Sequence, residues 1–227
     1  MIQDGGEIAF VGAILEWSTK HQTQIKYFTS MIGRLSSLAS IVSHLRRLRV
    51  RIVLRNFLIG QIENYAISEL VQGSRTKRWV VGWSFGQQRF YQELARPSTP
   101  SLQKLLPETT LICFTTQVSL PHVAKLITEQ LLKLKISSHW MEPDLLFCSG
   151  NGAVWSRAAR RKVLQNSDLD SLDAYYSLSV SLRCFKSDVT SVDIRWLIGN
   201  HHKTFESFAG MLRSTLHDIV LKELSKG

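Results

Sequence analysis

The chain has 227 residues, 44% hydrophobic and 9% aromatic, which suffices for one large core or two small ones and excludes a disordered or fibrous polymer. Its 28 Lys+Arg against 18 Asp+Glu leave a net charge of +10, a field that attracts polyanions such as nucleic acid or an anionic membrane surface. Cys113, Cys148 and Cys184 lie far apart in apolar runs, which excludes a closed disulfide framework and a zinc knuckle and predicts buried free thiols in a reducing compartment.

In chain order, "MIQDGGEIAFVGAILEWSTKH" predicts a helix, with Glu7 near its positive end and Ile8, Val11, Ile14 and Leu15 on one face. "IKYFTSMIG" is short, aromatic and glycine-stopped, a buried strand. "SSLASIVSHLRRL" is a second helix with Leu38, Ile41, Val42 and Leu45 on its apolar side. "NYAISELVQ" and "RWVVGWSFG" predict two strands joined by a turn at Gly73, with "WVVGWSF" forming a sheet-edge strand. This order suits the second half of an α/β sheet with an antiparallel edge.

"QELARPSTPSLQKLLPETT" holds three of the five prolines and predicts a linker over residues 95–107, between domains 1–94 and 108–227. Beyond it come the strand "TLICFTTQV" and the helix "LPHVAKLITEQLLKLK", with proline in its first turn. "ISSHWME" and "DLLFCSGNGAVW" predict strands, "SRAARRKVLQ" a basic piece, and "SLDAYYSLSVSLRCFK" with "SVDIRWLIG" a hairpin. The closing stretch from His202 predicts a long amphipathic helix with Phe205, Phe208, Met211, Leu212, Leu216, Ile219 and Val220 on its apolar side. The sum is a small α+β domain, a sheet covered by helices on one face. With no signal peptide and no apolar run of membrane-spanning length, the chain is expected to be soluble, in the cytoplasm or nucleus, without a membrane partner.

Self-contained catalytic chemistry is not visible. No serine sits in a nucleophile elbow, no glycine loop has phosphate-binding form, and "GNG" at 150–152 is explained as a turn. The neighbouring His201 and His202 cannot converge on one ion from a helix start, so no metal is expected. Three basic clusters remain. The first is Arg46, Arg47, Arg49, Arg51 and Arg55; the second Arg75, Lys77 and Arg78; the third Arg157, Arg160, Arg161 and Lys162 beside Trp155. Arginine's planar fork suits phosphates and base edges, whereas the plainer reading of each cluster is a solvated turn or helix end. The second carries the strongest signal, because a glycine turn presents its cations together at the end of a sheet.

"DGGEIAFV", "KYFTSMIGRLSSL", "ENYAISELVQGSRTKRW" and "VGWSF" resemble the second half of the Rossmann-type catalytic domain of the U6 small nuclear RNA adenine-N6 methyltransferases. The bacterial 23S ribosomal RNA adenine-N6 methyltransferases are similar over the same residues, 4–86, and the form of "VQGSRTKRW" resembles the fungal members. More weakly, "GAVWSRAARRKV" and the final strand, strand and helix resemble the family's C-terminal RNA-binding region, which is similar to a kinase-associated-1 domain.

The resemblance implies an S-adenosylmethionine-dependent RNA methyltransferase. It also implies that Arg75 and Arg78, with Lys77 between them, grip RNA near the target adenosine, and that Arg157, Arg160, Arg161 and Lys162 hold its structured stem. The family's glycine-rich cofactor loop and its Asn-Pro-Pro-Phe motif do not occur in these 227 residues. The expectation is therefore an N-terminally truncated relative that binds RNA, with no catalytic or cofactor-binding residue of its own. Residues 49–63 exceed the family's usual link and read either as an insertion or as a translated intron, so the first cluster is left out of the site. The alternatives are a non-catalytic RNA-binding or regulatory protein and, more weakly, a module whose basic patches meet acidic proteins.

Overall fold

Leu38, Ile41, Val42 and Leu45 recur at the spacing that places side chains on one stripe of a helix. In the computed structural model they are buried on α2 (Leu35–Val53), in the core of a three-stranded sheet. The structure describes residues 4–53, 62–73, 76–156, 159, 175–185, 189–199 and 201–224. The chain forms two compact units, residues 1–109 and 110–227, each with its own core.

The first unit runs α1 (Gly6–Ser18), β1 (Phe28–Ile32), α2, β2 (Asn64–Gln72), β3 (Thr76–Ser84) and the one-turn α3 (Gln92–Ala95). β3 lies between β1 and β2 and is antiparallel to both, so this three-stranded sheet is antiparallel throughout. This corrects the expectation that "WVVGWSF" is an edge strand: it is the centre of the sheet. Its near-continuous apolar run has that cause, because both faces of the strand are covered. Trp79, Val81 and Trp83 are buried in the core with α1 and α2, while Gly82 and Ser84 lie on the opposite face, where the Phe90 ring approaches Gly82. Trp83 Nε1 donates to the Ser18 hydroxyl at 3.0 Å, which ties the centre of the sheet to the end of α1.

The buried positions of α1 are Val11, Leu15 and Ser18; Ile8, expected on this face, is exposed. Glu7 does not serve its own helix. Its carboxylate accepts the Gly33 N–H at 2.7 Å and the Arg34 N–H at 3.1 Å, immediately before α2. Burial alone would raise this carboxyl, but hydrogen bonds from Ser37, Gly33 and Arg34 and the Arg34 charge together hold it below its ordinary value. Residues 95–107, expected from their prolines to be a linker, lie in the first unit, where Leu102 and Leu106 join the core. Arg46 of α2 fastens them, donating to the carbonyls of Lys104 at 3.1 Å and Leu106 at 3.2 Å.

The second unit runs β4 (Leu111–Thr116), α4 (Leu120–Lys133), β5 (Ser137–Glu142), β6 (Leu145–Asn151), β7 (Tyr175–Phe185), β8 (Val189–Ile198) and α5 (His202–Leu224). The five strands pair antiparallel in the order β4-β8-β7-β6-β5. Strand alternation buries Leu178, Val180 and Leu182 with Val192, Ile194 and Trp196 on one face. Val123, Ile127 and Leu131 of α4 and Phe205, Phe208, Leu212 and Leu216 of α5 join the same core. The intervening positions, among them Ser177, Ser179, Ser181 and Phe147, belong to the opposite face. Cys113 falls on that second face, opposite Asp193, and is exposed, which corrects its expected burial; Cys148 is buried on the helix-covered face. The side chains of Cys184, Ile219 and Val220 lie outside the described residues.

Candidate nucleic-acid interface

β1 pairs only with Trp79–Trp83 of β3, so the β2–β3 hairpin continues beyond it as a two-stranded ribbon. Three pairs form this ribbon, Leu70 with Arg78, Val71 with Lys77 and Gln72 with Thr76, which extends it by about 10 Å. Gly73, at φ 64°, supplies the left-handed turn at its tip, a conformation costly to residues with a Cβ.

Successive strand residues point to opposite faces, so Lys77 and Arg78 flank the ribbon rather than share a side. Arg78 is exposed beside Leu70; its guanidinium donates to the Lys77 carbonyl at 3.1 Å and forms no ion pair among the described residues. Lys77 is half-exposed and its Nζ lies 3.2 Å from Glu69 Oε1. The Thr99 hydroxyl donates to the other oxygen of Glu69. That hydrogen bond first, then the hydrogen bond and charge of Lys77, hold the Glu69 carboxyl below its ordinary range. Glu69 is not among the residues expected from sequence, although a turn at Gly73 already puts residues 69 and 77 equally far from it on one face.

Of the seven expected RNA-binding residues, the structure thus places Lys77 and Arg78. Arg75, Arg157, Arg160, Arg161 and Lys162 lie outside the described residues. Trp155, the residue beside the third cluster, is described. Trp155 is buried, donates to the Ser207 hydroxyl of α5 at 2.9 Å, and meets Phe208 and Tyr176 edge-on. It is packed in the core of the second unit and is not a free stacking surface for a base.

A second unforeseen residue is Asn64, buried at the start of β2. Its Nδ2 donates to the carbonyls of Gly86 at 2.6 Å and Gln88 at 2.9 Å, and its Oδ1 accepts from Arg89 at 2.5 Å. "ENYA" therefore organises the loop leaving "VGWSFG", two of the stretches that carried the resemblance. A buried side-chain amide that ties down three backbone or side-chain groups fixes a loop at small cost in core volume.

The resemblance implies S-adenosylmethionine, whose carboxylate could be held by free backbone N–H groups at a strand-to-helix turn. The tight strand-to-helix turn of the first unit, β1 to α2, has its Gly33 and Arg34 N–H groups already filled by the Glu7 carboxylate. Among the described residues no group of three His, Cys, Asp or Glu side chains is placed to hold a metal. His202 stands 3.6 Å from Glu206 and against the Trp196 ring, as a helix-start contact.

Comparison with known proteins adds independent findings. Residues 1–87 match a family model described as RNA methyltransferase. The U6 small nuclear RNA (adenine-(43)-N(6))-methyltransferase of Schizosaccharomyces pombe is 31% identical over 222 residues, 96% of this chain and 52% of that protein. The Caenorhabditis elegans protein of the same name is 34% identical over 114 residues, 48% of this chain and 21% of that one. A solved structure titled "delta-N METTL16 MTase domain" aligns with 36% of this chain at 30% identity, but its TM-score of 0.28 is too low to bear on the fold. The chain spans about half the length of the Schizosaccharomyces pombe relative.

Proposed function

The chain belongs to the RNA adenine-N6 methyltransferase family, and from that membership we propose that it grips RNA, U6 small nuclear RNA first of all, through the β2–β3 ribbon. The carrying observation is Arg78, exposed on a ribbon that stands clear of β1 within the family-matched residues, with no acidic partner among the described residues. Arg75 and Lys77 complete the grip. Arg157, Arg160, Arg161 and Lys162 hold a structured stem, and the second unit serves as the kinase-associated-1-like RNA-binding domain. The relatives' named substrate favours a nuclear location; no helix among the described residues is long and apolar enough to cross a membrane.

A methyltransferase of this family implies S-adenosylmethionine as methyl donor. With Glu7 filling the β1–α2 turn, and neither the glycine-rich loop nor Asn-Pro-Pro-Phe in these residues, the 227-residue chain by itself binds RNA without the cofactor. No step of methyl transfer is assigned to its side chains.

Binding of a U6 stem-loop RNA, measured by fluorescence anisotropy from about 50 to about 200 mM salt, tests the grip. Arg75→Ala with Arg78→Ala is expected to weaken binding and to lower the salt slope by about 0.9 for each phosphate that is no longer neutralised. Unchanged affinity and slope would turn the assignment toward an acidic protein partner. Calorimetry with S-adenosylmethionine is expected to show no binding, and clear micromolar binding would overturn the cofactor inference.

A further inference from the structure

A groove outside the expected basic clusters lies between the edge strand β4 and α5. Arg213 and His217 line it from the helix, Thr116 and Gln117 from the end of β4, and Phe114 and Leu216 form its apolar part. Arg213 and His217 are four residues apart, one turn of the helix, so their side chains stand over the same surface. Both are exposed, and neither forms an ion pair among the described residues. β4 is an edge strand, paired on one side only with β8, so its outer backbone groups add donors along this border.

The volume decides what could enter. At about 220 Å³ the groove is smaller than the ~300–1,000 Å³ of sites that bury a whole small molecule or cofactor. It has room for one phosphate group with bound water. Arginine's fork, a histidine and the hydroxyl and amide donors of Thr116 and Gln117 are complementary to phosphate oxygens and offer no matching negative charge.

We propose that this groove holds a backbone phosphate of the bound RNA, a second contact remote in sequence from both the hairpin and the segment 157–162. The inference rests on the RNA-binding reading above. Arg213 makes the principal contact to the phosphate, and His217 and Gln117 position it over the apolar part formed by Phe114 and Leu216. The sequence-blind nature of phosphate contacts means that this site sets register and affinity, not base choice.

The test is U6 stem-loop RNA binding by the full 227-residue chain, against Arg213→Ala with His217→Ala, and Arg213→Lys as the charge-conserving control. The double variant is expected to lower the salt slope by about 0.9, as for one phosphate, and to weaken affinity several-fold near physiological salt. Arg213→Lys is expected to keep the slope. Circular dichroism melts confirm that both variants fold; if the double variant does not, Arg213→Gln replaces it. If the double variant binds like the parent while Arg75→Ala, Arg78→Ala weakens binding, this proposal fails and the RNA-binding reading stands. If the parent does not bind RNA at all, both fail. Binding of the parent to phosphatidylserine vesicles, abolished in the double variant without any change in RNA affinity, would assign the groove to a lipid headgroup and overturn the proposal.

Discussion

Glu7 shows how one side chain can serve an element other than its own. Its carboxylate caps the approach to α2 through Gly33 and Arg34. Because its pKa is lowered in the folded state, it contributes stability that is fully present above its unfolded pKa, about 4.3, and is lost as pH falls through the still lower folded value. Glu7→Gln is therefore expected to cost about 1 kcal/mol at neutral pH, the size of a helix-cap loss, and to converge with the parent in acid. Urea midpoints from neutral pH down to about pH 3, below the unfolded pKa, measure this; a gap that did not narrow as pH fell below about 4.3 would contradict it. Glu69 gives the residue-scale prediction for binding. It pairs with Lys77 at 3.2 Å, so Glu69→Gln is expected to tighten RNA binding by up to roughly fivefold, the scale of a surface ion pair worth about 0.2–1 kcal/mol. Anisotropy at low salt reads this, and weaker binding would mean that Glu69 serves to aim Lys77.

At the scale of elements, positioning comes from where pairing stops. β1 is short and ends at Trp79 of its partner, and that leaves the β2–β3 ribbon free to carry Lys77 and Arg78 outward. In the second unit the passage from β8 to α5 depends on Gly199, at φ 132°, where an added Cβ would lie 2.8 Å from the Tyr175 carbonyl and 3.0 Å from Trp196 Nε1. The backbone oxygen cannot yield as the end of a flexible side chain would. Gly199→Ala is expected to destabilise by more than about 1 kcal/mol, the least that such strained backbone costs, and to lower Tm by several degrees. A melt indistinguishable from the parent would show that the strand end relaxes freely.

At the scale of the whole molecule, the two units have separate cores, each made from its own sheet and helices. Leu102 and Leu106 belong to the first, so the cut that respects both cores falls after Thr109 and not within residues 95–107. Residues 110–227 expressed alone are expected to unfold in a single cooperative transition, whereas a fragment ending at residue 94 is expected to lose stability in the first unit by removing Leu102, Leu106 and the carbonyls that Arg46 holds. Denaturant titrations of both fragments check this; a fragment 1–94 as stable as 1–109 would refute the role given to those leucines.

The residue order alone determined which stretches become helices and strands, since periods of two and of three to four residues are local properties of a chain. It also carried the family, through ordered motifs over residues 4–86, and the net positive charge that attracts polyanions. Only the tertiary structure decided that "WVVGWSF" is a central strand, because edge and centre differ in neighbours and not in the strand's own pattern. In the same way it gave Glu7 to α2, hid Trp155 under α5 and set Arg213 and His217 beside the end of β4. Each of those depends on contacts between residues distant in sequence, and chain closure, not local propensity, brings such residues together.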